Sequence, residues 1–256
     1  MAVDNAIVDL LLREFHFPER ALFNKVVAKE NFVKSSRINK SKKELIAKKI
    51  QQINWVFIFK ESTTNISETV EPKLPIKEID FLTVEVRDGG KINTSLASSI
   101  LDVLPNPAIL QLNWEIDSTD MYQWFMADYR VKKNTEFFEV NQLYASKVMQ
   151  RDELPVFAQY AGFNQQDTSD MFRFYESILD NMERFKFING EVNDTPLADT
   201  LVSYRTLNKK SEELNAEILK LQVQAKKEKQ LNKRAKLVNQ TRDLMKQLES
   251  IKKGNL

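Results

Sequence analysis

Apolar residues recur along this chain at two different spacings, and each change of spacing marks an element boundary. Asp4 is placed to cap a helix whose apolar positions Ile7, Leu10 and Leu11 share one face, and Phe15-His16-Phe17-Pro18 ends it. Ser41-Lys42-Lys43-Glu44 has the form of a capping box, and Leu45, Ile46, Ile50 and Ile53 follow at helical spacing. The spacing then changes. Trp55 to Phe59 is a β-branched and aromatic run that predicts a buried strand. A second strand is expected from Ile76 to Arg87, closed by the turn residues Asp88-Gly89-Gly90. Asn93 is expected to cap a helix carrying Leu96, Ile100 and Leu104, which Pro105 stops. Ile109 to Ile116 and Met121 to Val131 read as an antiparallel hairpin joined through Asp117-Ser118-Thr119-Asp120, and Phe137 to Tyr144 as a fifth strand.

Beyond Gly162 the period is helical. Asp167 or Thr168 is placed to cap a helix with Met171, Phe174, Tyr175, Ile178, Met182 and Phe185 on one side, a stripe that faces a core. Asn189 to Pro196 form a polar break, and a helix is expected to resume near Leu197. Near the end, Ser211 can cap a helix with Glu212 and Glu213 in its first turn and Lys252 and Lys253 in its last. Leu214, Ile218, Leu221 and Ala225 form one apolar seam, and Leu237, Thr241, Leu244, Leu248 and Ile251 form another. The two seams do not share a register, because extending the first by sevens lands on Asn232 and Asn239. Either the helix shifts register between Lys226 and Arg234 or the chain turns back on itself. No Gly or Pro interrupts residues 226 to 237, which favours one continuous or kinked helix on the order of 60 Å long.

These patterns predict an α+β fold. A mixed, largely antiparallel sheet with flanking helices would carry a long C-terminal helix or helical hairpin of coiled-coil type. The expected divisions are an α/β body over 1–165, a helical segment packed on it over 166–206, and a basic amphipathic arm over 207–256.

Charge sharpens the division. The net charge of +2 conceals an arm, 207–256, with 13 Lys/Arg against 6 Asp/Glu, and an acidic remainder with 25 against 30. A basic arm on an acidic body favours polyanions or acidic surfaces. The absence of cysteine removes disulfides and thiol chemistry and fits a reducing compartment, with the cytoplasm as the expected location. The start of the chain lacks a basic leader pattern, and no apolar stretch approaches the roughly 20 residues that span a bilayer, so no membrane role is expected.

The residues offer little for catalysis. His16 is the sole histidine, and its place between Phe15 and Phe17 reads as a packed or surface residue, not a catalyst. Asn65 reads as a turn former, and Gly89-Gly90 lacks the spacing of a phosphate loop. Asp80 with Glu85-Val86-Arg87 has the outline of a metal-dependent nuclease motif. An odd separation along a strand puts the two carboxylates on opposite faces, however, and a solvated strand face explains them equally. No catalytic residue, metal or cofactor is therefore expected. The strongest candidate site is the cluster Lys226, Lys227, Lys229, Lys233, Arg234 and Lys236, offset by Glu228 alone. Cations so concentrated suit nucleic-acid phosphates, although lysines also populate solvated helix faces. Lys25, Lys29, Lys34, Arg37, Lys40, Lys42 and Lys43 make a looser second basic stretch.

Several short segments resemble a bacterial family described only as a domain of unknown function. They are Phe23-Asn24-Lys25 with Lys29 and Phe32, then Ile50, Ile53 and Trp55, Thr64-Asn65-Ile66, Glu78-Ile79, and Leu104-Pro105 with Pro107 and Ile109. Lys226-Lys227-Glu228-Lys229-Gln230 with Asn232-Lys233 continues the match in the arm. The family often closes the Glu78 strand with Leu-Lys, where this chain has Val86-Arg87. Members lie beside helicases and DNA methyltransferases in restriction-like, anti-phage gene clusters. The resemblance thus implies a non-catalytic accessory subunit of a DNA-directed defence assembly. Leu237, Leu244, Leu248 and Ile251 would carry contact with a helicase or methyltransferase partner, and the cations would carry contact with DNA. The alternatives are a nuclease using Asp80 and Glu85, or a self-assembling scaffold that forms a homo-oligomer through the arm.

Overall fold

Strands β1 (Leu22–Val27), β2 (Ile50–Lys60) and β3 (Glu78–Val86) form an antiparallel meander. Helix α1 (Asn5–Arg13) precedes it, and α2 (Lys29–Val33) and α3 (Lys40–Lys49) fill the β1–β2 connection. A short helix α4 (Glu61–Thr64) follows β2, and α5 (Asn93–Leu101) crosses from β3 to β4 (Ala108–Ile116), which lies parallel to β3. β5 (Thr119–Val131) and β6 (Phe138–Ala145) return antiparallel, and β7 (Met149–Gln150) pairs with β5. Helices α6 (Leu154–Ala161) and α7 (Met171–Phe185) complete the first unit, Met1–Lys186. The second unit, Phe187–Leu256, holds α8 (Tyr204–Lys227) and α9 (Leu231–Lys252). The computed structural model describes residues 5–69, 74–90, 92–131, 138–186 and 204–252, so Asp4, the 189–196 break, the helix expected near Leu197 and Lys253 lie outside it. Among the described residues no helix is long and apolar enough to cross a membrane.

The chain is thus α+β, with a mixed and mostly antiparallel sheet in the order β1-β2-β3-β4-β5-β6 and helices on its flanks. Both faces are buried. Ile46, Leu96, Ile100 and Leu101 pack against Ile50, Ile53, Leu82, Val84, Leu110 and Leu112 in one hydrophobic cluster. The other face is aromatic: Phe17 meets Phe57, Phe59 and Phe81 at 5.1–5.5 Å between ring centroids. His16 is exposed and adopts φ 54° between buried Phe15 and Phe17, so of the two readings it is a surface residue and the flanking phenylalanines do the packing.

Several boundaries differ from expectation for identifiable reasons. α3 stops at Lys49, so Ile50 and Ile53 begin β2 instead of ending the helix. Both settings bury them, and spacing alone could not separate the two. The cap is Asn39, whose Oδ1 accepts the Lys42 N–H at 3.0 Å, and Ser41 lies inside the first turn. Asn93 is the first residue of α5 and accepts from the Gly90 N–H at 2.9 Å, while Leu104 falls beyond the helix end. Asp170, not Asp167 or Thr168, caps α7, accepting from the Phe172 and Arg173 N–H groups at 2.8 and 3.0 Å. The β4–β5 hairpin turns on Asp117 and Ser118 alone, both at positive φ (48° and 62°), the backbone that a tight two-residue turn requires.

Gly89 lies in the β3–α5 turn against Trp114. A Cβ there would sit 2.2 Å from Trp114 Cγ, so Gly89→Ala must push a largely buried indole aside. The expected cost is about 1–3 kcal/mol, read as a lower urea midpoint with an unchanged slope.

The second unit is a helical hairpin, which corrects the expectation of one continuous helix. α8 ends at Lys227, α9 starts at Leu231, and the two helices pack together. Leu207 and Ile251 are equally distant in sequence from Lys229, Ile218 and Thr241 nearly so, and all four are buried. The mismatch of register between the seams is thereby explained: each seam faces the other only if the chain folds back. The reversal needs no Gly or Pro because the Glu228 carboxylate accepts the Gln230 N–H at 2.8 Å, satisfying a donor that a continuous helix would have paired. Ser211 lies inside α8, which begins earlier, at Tyr204.

Candidate nucleic-acid interface

The fold-back gathers cations that the sequence spreads along a line. Lys226 and Lys227 end α8, Lys229 stands in the connection, and Lys233, Arg234 and Lys236 fill the first turns of α9. All six are exposed, and among the described residues none closes an ion pair or a side-chain hydrogen bond. Like charges held together without counterions raise the local potential, and a polyanion relieves it.

The hairpin also sorts them. Lys227, Lys233 and Lys236 line one concavity, about 670 Å3, with Glu228, Gln224, Gln240 and Leu237, so three cations there face a single carboxylate. Lys226 and Arg234 line a second groove together with Arg242. Arg242 lies beyond the charge run but shares a face of α9 with Arg234, eight residues earlier, and the fold-back sets Lys226 of α8 on the same groove. Of the apolar residues expected to meet a partner, Ile251 is buried and Leu237, Leu244 and Leu248 are half-buried along the α8–α9 seam.

Among the described residues, five of the seven cations in the looser basic stretch near the N-terminus have internal contacts, Lys34 and Lys43 being the exceptions. Lys42 pairs with Asp102 at 2.5 Å, Lys40 with Glu44 at 3.8 Å, and Arg37 donates to the Val103 and Leu104 carbonyls at 3.3 and 2.8 Å. Lys29 Nζ reaches the Ala47 carbonyl, and Lys25 lies over the Phe23 ring at 4.5 Å.

Asp80 and Glu85 are not brought together. β3 is regular, and the extra residues of the β2–β3 ladder fall in β2, so the two carboxylates project from opposite faces. Glu85 accepts from Asn113 Nδ2 at 2.8 Å, within a polar row that includes the Gln111–Asn113 and Gln52–Asn54 side-chain pairs. Asp80 is fully buried. Asn106 Nδ2 bridges Glu78 Oε1 at 2.9 Å and Asp80 Oδ2 at 3.4 Å, while Asp80 Oδ1 and Trp55 Nε1 close no hydrogen bond. Burial, reinforced by the Glu78 carboxylate, pushes the Asp80 carboxyl up from 3.8 to about 8, against the opposing pull of the Asn106 amide. The two acids stand two residues apart on β3 and so share a face, a signal the sequence carries. Among the described residues no group of three His, Cys, Asp or Glu side chains is placed to hold a metal ion.

The model of a domain of unknown function, DUF4391, matches residues 15–248, nearly the whole chain. The chain belongs to the DUF4391 family. The match extends across both units and includes the hairpin tip, so the basic cluster lies within the family domain. No curated protein matches the chain, and no solved structure does.

Proposed function

We propose that this DUF4391 protein is a non-catalytic accessory subunit that holds DNA phosphates on the tip of its helical hairpin. In this reading it serves a DNA-directed bacterial defence assembly and docks onto a helicase or DNA methyltransferase. The observation that carries the DNA contact is the basic tip: Lys227, Lys233 and Lys236 on one face, with Lys229 in the connection, are exposed and without internal partners. Lysine ammonium groups act on phosphates as point charges, so such contact gives affinity without base recognition. The flexible stems reach phosphates of either strand, which suits a protein whose partner supplies the sequence or lesion recognition.

Binding of the intact chain to a fluorescent DNA duplex, followed by anisotropy, tests this. Replacing Lys227, Lys233 and Lys236 together with Gln is expected to weaken binding by about tenfold or more, equally for unrelated duplex sequences. These side chains are exposed, so far-UV circular dichroism and the unfolding midpoint should hold. Unchanged affinity in the folded variant would remove the tip from the interface.

A further inference from the structure

The second groove of the hairpin differs in chemistry from the phosphate-facing concavity. Its lining combines Ala225, Val238 and Met245 with Lys226, Arg234 and Arg242, and it encloses about 520 Å3. Val238 and Met245 are 43% and 45% exposed, and Leu231, seven residues before Val238, is 79% exposed. On α8, Leu219 and Val223 are 62% and 51% exposed, one helical turn apart. Leu219 and Val223 do not line the groove. Its apolar floor is Ala225 of α8 with Val238 and Met245 of α9.

A stripe at heptad spacing is what one helix presents to another. Leu231, Val238 and Met245 recur by sevens on α9, and an exposed residue gains nothing in water from keeping that spacing. Two antiparallel helices leave a furrow between them that a third helix fills, converting the pair into a three-helix bundle. The charged residues lining this furrow are Lys226, Arg234 and Arg242, and no carboxylate lines it.

We infer that this groove docks an acidic amphipathic helix from a partner protein, with its apolar face on Val238 and Met245 and its carboxylates on Lys226, Arg234 and Arg242. Charge complementarity selects this occupant. A second copy of the hairpin, docked through the same face, would set these cations against their own counterparts. DNA would leave the apolar floor unused, and phosphates find the other face richer in lysine. Arginine in two of three positions suits carboxylates, because the guanidinium fork takes both oxygens at once. The helix-in-groove mode predicts the anchors of the ligand: apolar residues at i, i+3 or i+4, and i+7, flanked by Glu or Asp. The inference names the surface through which the accessory subunit of the preceding section would hold its partner. It does not require that DNA be bound, since the two faces share no lining residue.

A displayed library of short helical peptides, randomised at all surface positions and selected on the full-length protein, tests it without presupposing a partner. The expected result is enrichment of acidic sequences with one apolar stripe. A selected peptide, synthesised and labelled, should then lose about tenfold or more in affinity on Val238→Glu with Met245→Glu, and a similar amount on Arg242→Glu. All three positions are exposed, so the variants should unfold at the wild-type midpoint, and the Val238→Glu, Met245→Glu variant, which removes no cation, should retain DNA binding through Lys227, Lys233 and Lys236. Four outcomes would overturn the inference. Selection could yield no enriched sequence, or basic or non-amphipathic ones. The selected peptide could bind both variants as it binds the wild type. An unlabelled DNA duplex could displace the peptide as effectively as the peptide displaces itself, assigning the groove to phosphates. Light scattering could show a dimer abolished by Val238→Glu, assigning it to a second copy. Loss of DNA binding with peptide binding intact would instead strike only the phosphate reading.

Discussion

Asp80→Asn is expected to stabilise the protein in mildly alkaline solution and to leave it nearly unchanged in acid. The buried carboxyl has its pKa raised from 3.8 to about 8, so between those values the folded chain keeps a proton that the unfolded chain has released. Folding then takes up a proton, and stability falls as pH rises through the window, by at most about 1.4 kcal/mol per pH unit. Below pH 4 both states are protonated and the group contributes no dependence. Above pH 8 the folded state carries a buried charge beside Glu78, and the loss is complete. Asparagine copies the protonated acid in shape and in its capacity to donate toward Glu78, yet it has no proton to lose. Urea unfolding of both proteins at pH 4 and at pH 8 measures the effect. The wild type should lose stability between the two, and the variant should lose markedly less. Parallel losses would show that Asp80 titrates as an ordinary surface carboxylate.

Trp124→Ala should remove about 3–5 kcal/mol of stability. Trp124 is fully buried, and its ring centroid lies 4.9 Å from Phe157 and 5.1 Å from both Phe15 and Phe81. These rings come from the segment after α1, from β3 and from α6, so one indole ties three parts of the first unit together. Its Nε1 donates to Gln111 Oε1 at 2.8 Å, and truncation leaves that oxygen unsatisfied as well as opening a cavity. A typical domain has roughly 5–15 kcal/mol in total, so the variant should sit near the edge of folding at 37 °C. Trp124→Phe keeps most of the volume and should cost less, mainly through Gln111. Denaturant midpoints of the two variants decide it. A shift for alanine no larger than that for phenylalanine would mean that the aromatic face tolerates the void.

The strands and helices with a uniform period are legible from residues alone: β3 to β6 and the α7 stripe stand close to where their patterns put them. β2 was only half legible, because its bulges at Gln51 and Val56 break the alternation and let Ile50 and Ile53 pass for helix. β1 was missed entirely. It is a bulged strand, with Asn24 at φ 48°, and exposes Phe23 and Val26, so it carries neither alternation nor a buried run. The mismatched seams carry the hairpin, and the absence of Gly and Pro does not oppose it, because the Glu228 side chain takes up a backbone donor of the turn. In the candidate interface the six cations are visible as a run, but their division between two grooves exists only after the chain doubles back. Glu78 and Asp80 share a face of β3 by spacing, whereas Asn106 joins them from the loop before β4, a proximity that no spacing rule reports.

A hairpin tip that binds DNA must exchange salt ions for DNA phosphates. The slope of the logarithm of the DNA association constant against the logarithm of salt concentration measures that exchange. The wild type should show a steep negative slope for any duplex sequence. Replacing Lys227, Lys233 and Lys236 with Gln should flatten it by roughly three, about one for each phosphate that no longer meets a lysine. A slope near zero for the wild type, or one that the triple substitution leaves untouched, would contradict a phosphate-binding hairpin.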